Sequence, residues 1–212
     1  DSVPHEALFR KMEAIGVRGR VMRLVRDMYE RARMCCRMAD GGFSESAPFL
    51  KGVRQGDPCS PILFNIYIND MFSDALLREG VWLDADMEDD VQQVLGRHDR
   101  KVGALAYADD VVLIAPTQMA LRRMMDRVTE WSDTWAMRVN AAKCGVMQVV
   151  PNGVLREDPP PQLALQGQNV PIVDDYVYLG NKLTYTVDLK EMANARMESG
   201  ERARLALNPA LA

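Results

Sequence analysis

Two adjacent carboxylates, Asp109 and Asp110, stand between the apolar runs Ala104-Leu105-Ala106 and Val111-Val112-Leu113-Ile114. Both runs are short and rich in small and β-branched residues, which predicts a buried hairpin with the acids at its tip. Burying one unpaired carboxylate is costly, and burying two side by side costs more because they repel. No Lys or Arg lies nearer in sequence than Lys101 and Arg122. The expected counter-charge therefore comes from tertiary structure or from a metal ion. Hard divalent cations take oxygen ligands and bind through one or two carboxylates plus substrate phosphates. An acidic hairpin tip thus suits metal-assisted phosphoryl transfer. An ordinary exposed turn is the plain alternative, since Asp is common in turns. The lack of Gly or Asn between these apolar strands weakens it.

The remaining pattern mixes helices and strands. Ser2, Pro4 and Glu6 form a helix start, and Leu8, Met12 and Ile15 keep helical spacing until Gly16. A second helix is predicted from about Arg18 to Arg33, with Val21, Leu24, Val25 and Met28 on one face. Its arginines, Arg20, Arg23, Arg26, Arg31 and Arg33, fit either a track for a nucleic-acid backbone or a solvated face partly paired with Asp27 and Glu30. Asp40-Gly41-Gly42 reads as a hairpin turn. Beyond the breaker-rich loop Gly52 to Pro58, Ser60 before Pro61 is the expected N-cap of a helix reaching about Arg78. Ile62, Leu63, Phe64, Ile66, Tyr67, Ile68, Met71 and Phe72 cover nearly all its circumference, so burial on most sides is expected. Thr117 to about Met137 is again helical, and strand candidates follow at 145–150, 163–165, 170–173 and 177–179. The expected fold class is α+β, an antiparallel sheet backed by helices.

Composition excludes several classes. The 212 residues are 48% hydrophobic and 26% charged, as in an ordinary globular protein. No apolar run approaches the roughly 20 residues that cross a bilayer. The four cysteines (Cys35, Cys36, Cys59, Cys144) form no CxxC pair and read as reduced thiols, which predicts an intracellular setting, cytoplasm or nucleus. With only His5 and His98, a histidine metal site or a Ser-His-Asp triad has little to build on. The net charge of −4 hides an uneven distribution: residues 1–60 carry 11 Lys+Arg against 8 Asp+Glu, and residues 61–100 carry 3 against 9. A basic front half can still meet phosphate. The acidic stretch 84–90 lacks the glycine and closing glutamate of a calcium loop, with Asp89 and Leu95 at those positions, and reads as an exposed insertion.

The segment Leu105-Ala106-Tyr107-Ala108-Asp109-Asp110 resembles the active-site hairpin of reverse transcriptases. Gly52 to Asp70 resembles the same family's glycine-containing loop and palm helix, with Gln55, Gly56, Ser60 and Pro61 as the recurring residues. Asp1 to Leu8, Val139 to Met147 with Lys143, and Tyr176 to Gly180 resemble three further motifs. The five segments occur in the family's order, and their style is closest to non-LTR, LINE-like retrotransposon enzymes.

That resemblance implies a polymerase palm within a right-hand architecture, fingers missing and thumb only begun. Residues 1–187 would be the palm with part of the fingers–palm region, and 188–212 the start of the thumb or a connecting helix. It also implies two-metal nucleotidyl transfer with Mg2+ or Mn2+ at Asp109 and Asp110, and an RNA template, a DNA primer and dNTP as partners. Arg54, Gln55, Gly56, Ser60, Pro61 and Tyr107 would touch nucleotide or template, and Lys143 would protonate the leaving pyrophosphate or steady the triphosphate. Tyr178, Leu179 and Gly180 would face the primer. In the family the first metal-binding aspartate stands six residues ahead of the position that Asp1 matches, so the 212 residues alone are expected not to polymerise. A catalytically dead RNA/DNA-binding remnant and an RNA-templated RNA polymerase are the alternatives.

Overall fold

A computed structural model describes residues 2–82, 101–150, 162–186 and 189–207. Asp1, the acidic stretch 84–90, the prolines 159–161 and residue 188 lie outside the described residues. The chain divides into two compact units, 1–139 and 140–212.

The first unit opens with α1 (His5–Ala14) and α2 (Gly19–Glu30). Helix α1 ends where Gly16 takes φ +91°, while Val17 N–H bonds Met12 O and Gly16 N–H bonds Glu13 O. This is a Schellman closure, which satisfies carbonyls that the helix end would leave bare. A hairpin of β1 (Arg33–Met34) and β2 (Ala47–Pro48) follows, turning at Asp40-Gly41-Gly42 as expected. Next come α3 (Ser60–Ile68), a 3₁₀ turn (Asn69–Met71) and the short α4 (Asp74–Leu77). Then β3 (Val81–Trp82) pairs with β4 (Lys101–Val102), and β5 (Ala104–Tyr107) with β6 (Asp110–Leu113). Helix α5 (Gln118–Thr134) closes the unit, its Thr117 Oγ1 accepting from Ala120 N–H as a side-chain N-cap.

Two helical expectations are corrected. On α2 the buried side chains are Met22 and Tyr29; Val25 and Met28 are half-buried, whereas Val21 and Leu24 are exposed. The turn of the helix is set by Tyr29, which stacks on Phe49, and by Arg26, whose guanidinium lies over the Phe9 ring and pairs with Glu6 and Glu13. The single helix expected from Ser60 to Arg78 is three pieces, because Phe72 and Ser73 leave helical geometry. Its buried face is Leu63, Tyr67 and Ile68, while Ile62 is exposed.

The core of this unit gathers Val3, Leu8, Phe9, Met12, Met22, Tyr29, Leu63 and Tyr67. Into it α1 sends a charge. Lys11 is only 4% exposed, and its ammonium lies 4.0 Å from the centre of the Trp135 ring, 4.4 Å from Trp131 and 5.1 Å from Tyr67. It pairs with Asp70, whose Oδ1 also accepts from Trp131 Nε1 at 2.8 Å. Tyr67 Oη donates to Trp135 O at 2.9 Å. Burial pulls the Lys11 pKa down against the opposing pull of Asp70, and the same burial, helped by Asp70, pushes Tyr67 up to about 12.

The second unit contains a 3₁₀ turn (Ala141–Lys143), the hairpins β7 (Ala164–Leu165) with β8 (Gln168–Asn169) and β9 (Asp175–Tyr178) with β10 (Asn181–Thr184), and α6 (Leu189–Leu207) packed on β10. Among the described residues its buried apolar side chains are Ala141, Val146, Val150, Leu163, Leu165 and Val170. The strands expected at 145–150 and 170–173 reduce to one parallel bridge, Val146 with Ile172. The fold is thus mixed α and β. Among the described residues the ladders are five separate antiparallel pairs, where the sequence pattern predicted one sheet layer.

Replacing Lys11 with Met is expected to cost about 1–3 kcal/mol in denaturant unfolding, because half-exposed Asp70 recovers water while Trp131 loses its organised acceptor. A second test uses pH. Folded Tyr67 holds its proton more tightly than the unfolded chain, so its contribution to stability is full below pH 10 and falls as pH rises toward about 12. Lys11, lowered from its ordinary 10.5, acts with the opposite sign, so tyrosinate absorbance is the clean readout. The late ionisation of Tyr67 is expected to be absent in Tyr67→Phe.

Candidate functional site

The β5–β6 hairpin is rooted where Gly103 meets α4. A Cβ at Gly103 would lie 3.0 Å from Leu77 Cα, so a larger residue would lift the hairpin off that helix. Ile114 N–H to Gly103 O at 2.8 Å extends the ladder beyond the strands. Tyr107 pairs with Asp110, leaving Ala108 and Asp109 as a two-residue turn. Ala108 has φ +52° and Asp109 is not in that region, the pattern of a type II′ turn, which favours Gly at its first position. An alanine there costs roughly 1 kcal/mol of backbone strain.

Asp109 and Asp110 occupy this tip, as the sequence pattern predicts, but the expectation of a buried hairpin is corrected. Both acids are exposed, as are Leu105, Ala106 and Tyr107, while Val111 to Ile114 are half-buried. Exposed carboxylates carry little desolvation penalty, so burial does not force a counter-charge onto them. Among the described residues neither acid has a cationic partner, and no cluster of three His, Cys, Asp or Glu that could hold a metal occurs. As a donor set, two neighbouring exposed carboxylates fit a hard cation that keeps most of its water.

The second group of candidates lies between β2 and α3. Arg54 O accepts from Asp57 N–H at 3.2 Å, with Gly56 at φ +85°, as in a type II turn. Arg54, Gln55 and Gly56 are all exposed, and a Cβ on Gly56 would meet nothing within 4 Å. The glycine is therefore required by backbone conformation and leaves an open surface above it. The start of the loop is fixed by Gly52, whose N–H bonds Val3 O and whose carbonyl bonds His5 Nε2 at 2.9 Å.

Ser60 does not cap α3. It is the first helical residue, and Cys59 stands at the cap without a side-chain bond. Asp57 does the work instead: its Oδ1 accepts from Cys59 N–H at 2.8 Å and its carbonyl from Ser60 N–H at 3.1 Å. An Asp directly before Pro58 is the sequence signal for such a turn. Ser60 Oγ is buried without a hydrogen-bond partner among the described residues, and Pro61 beside it is exposed.

The remaining candidates belong to the second unit. Tyr178 ends β9 and Asn181 begins β10, with Leu179 at φ +49° and Gly180 at φ +75°, a type I′ turn. Leu179 is exposed and Tyr178 half-buried. Arg196 of α6, which no local pattern singles out, donates from Nη1 to Gly180 O at 2.9 Å. Lys143 is exposed, and its carbonyl accepts from Tyr176 Oη at 2.7 Å, which ties the 3₁₀ turn to β9.

Comparison with known proteins agrees with the sequence resemblance. The family described as "Reverse transcriptase (RNA-dependent DNA polymerase)" matches residues 1–183. The chain is 32% identical over 144 residues to the retrovirus-related Pol polyprotein from type-2 retrotransposable element R2DM of Drosophila melanogaster, covering 68% of this chain and 12% of that protein. It is 31% identical over 157 residues to the Pol polyprotein from type-1 retrotransposable element R2 of Nasonia vitripennis, covering 72% and 14%. It is 25% identical over 166 residues to the RNA-directed DNA polymerase from mobile element jockey of Drosophila melanogaster, covering 74% and 16%. The chain thus spans less than a quarter of the length of the curated relatives it matches.

Two substitutions test the turns. Gly56→Ala is expected to cost about 1 kcal/mol through φ alone, since its methyl group meets open space. Ala108→Val is expected to cost about 1–2 kcal/mol, read as faster amide exchange from Leu105 to Val112 with the rest of the first unit unchanged.

Proposed function

Because this chain belongs to the reverse transcriptase family, of non-LTR retrotransposon type, we propose that it is the palm portion of an RNA-directed DNA polymerase. The reaction is nucleotidyl transfer: a primer 3′-hydroxyl attacks the α-phosphate of a dNTP paired with an RNA template, and pyrophosphate leaves. We assign residues 1–187 to the palm with part of the fingers–palm region, and 188–212 to the start of the thumb or a connecting helix. The observation that carries the reading is the pair Asp109 and Asp110 at a strained, solvent-facing hairpin tip, in a chain matched by the family over 1–183.

In this reading Asp109 and Asp110 hold Mg2+ or Mn2+. When bound, the divalent cation favours deprotonation of the attacking hydroxyl and balances charge on the leaving oxygen. Tyr107, at the end of β5, orients the tip beside the nucleotide. Gln55 and Arg54, on the open side of Gly56, contact nucleotide or template. Ser60 and Pro61 open α3, whose positive dipole end favours phosphate. Lys143 donates a proton to departing pyrophosphate or neutralises the triphosphate. The turn of Tyr178, Leu179 and Gly180, braced by Arg196, faces the primer.

Among the described residues no third carboxylate joins the pair, and affinity for hard cations falls with ligand count. That favours a second reading for the isolated 212 residues: they hold RNA and DNA without joining nucleotides. A Mn2+ titration followed by NMR tests the site. Line broadening is expected at Tyr107 to Val111 with dissociation on the order of millimolar, lost in Asp109→Asn/Asp110→Asn. Broadening elsewhere, or none, overturns the metal assignment. In primer extension with Mg2+ the 212-residue chain is expected to give no product above background.

A further inference from the structure

Between Arg18 and Arg37 the chain carries seven arginines, no lysine and only two acids, Asp27 and Glu30, in a protein of net charge −4. The fold sorts these arginines into two sets. Arg26 is taken up by Glu6 and Glu13 at 3.4 and 3.3 Å, with Glu30 at 4.0 Å; Arg31 holds Asp27 at 2.6 Å, and Arg33 is bonded to Ser46. The acids of the segment are thereby consumed. Arg18, Arg20, Arg23 and Arg37 are exposed and have no acidic partner among the described residues.

Geometry places three of them together. Arg18 is the N-cap of α2, and Arg20 and Arg23 stand one turn apart on its outward side. Successive residues advance about 1.5 Å along a helix, so Arg18 to Arg23 cover about 7.5 Å, a stretch of two or three neighbouring backbone phosphates. Val21 and Leu24 of the same helix are exposed as well. Guanidinium forks bind phosphate oxygens in pairs, and an all-arginine row is the composition for that task.

We infer that the outer face of α2 is a nucleic-acid backbone site, in which Arg18, Arg20 and Arg23 hold the phosphates of a strand. The inference takes its polyanionic occupant from the polymerase reading. Its surface shares no residue with the β5–β6 tip, so the two fail separately.

The test is fluorescence anisotropy of the 212-residue chain with labelled single-stranded RNA and with a DNA duplex, over a KCl series without divalent metal. Arg18→Gln/Arg20→Gln/Arg23→Gln is expected to weaken binding at least tenfold and to flatten the log–log salt slope for the single strand by about 2, since each lost phosphate contact removes about 0.7. The corresponding triple Lys variant keeps the slope and guards against loss of fold. A matched control, Arg122→Gln/Arg138→Gln/Arg202→Gln, is expected to leave the slope nearly unaltered. An α2 variant that binds like wild type overturns the inference, as does a control that loses as much. Loss of self-association in sedimentation with RNA binding intact also overturns it, assigning the face to protein. The RNA and DNA arms show which backbone is preferred.

Discussion

One buried ammonium organises the first unit. Lys11 comes from α1, its carboxylate partner Asp70 from the 3₁₀ turn after α3, and the rings around it from α3 and the end of α5. Taking a cation out of water costs several kcal/mol, and a single pair with a half-exposed Asp70 recovers only part of that. Three aromatic faces supply the rest, at about 0.5–2 kcal/mol each. A neutral residue at position 11 would leave the meeting of α1, α3 and α5 to apolar contact alone. The charge also ties α1 to α5, since the Asp70 carboxylate that pairs with Lys11 accepts from the Trp131 indole N–H.

From that junction the candidate surfaces are reached by short, stiff connections. The segment after α3 leads through α4 to Gly103, where close contact with Leu77 fixes the root of the acidic hairpin. The segment before α3 is held by Val3 and His5 at Gly52, then turns at Gly56 into the helix. Backbone strain collects at these tips: Ala108, Gln166 and Leu179 each adopt positive φ in a two-residue turn. Such turns hold their residues out from the strands, and two of the three carry candidate functional residues.

Much of this was legible locally. The helix starts near Pro4 and Thr117, the acidic hairpin, the glycine turn and the order of the family motifs follow from short-range pattern, and the match over residues 1–183 agrees with them. Ser60 misled because Ser before Pro is a good cap in isolation, yet Asp57 starts the turn one step earlier, through the amides of Cys59 and Ser60, and leaves Ser60 inside the helix. The face of α2 was misjudged because aliphatic spacing ignores Tyr29 and Arg26, the residues whose large side chains had partners to meet.

The sequence by itself determined the local chemistry: where turns fall, which residues are acidic, aromatic or able to take positive φ, and which family the chain belongs to. Those properties reside in neighbouring residues and need no knowledge of the rest. Tertiary structure alone decided which charges are spent and which remain. Lys11 looks like any surface lysine until rings 120 residues away enclose it, and Arg26 differs from Arg20 only because Glu6 and Glu13 reach it. Coulombic pairing and desolvation depend on distance in space, and a linear chain does not record that distance.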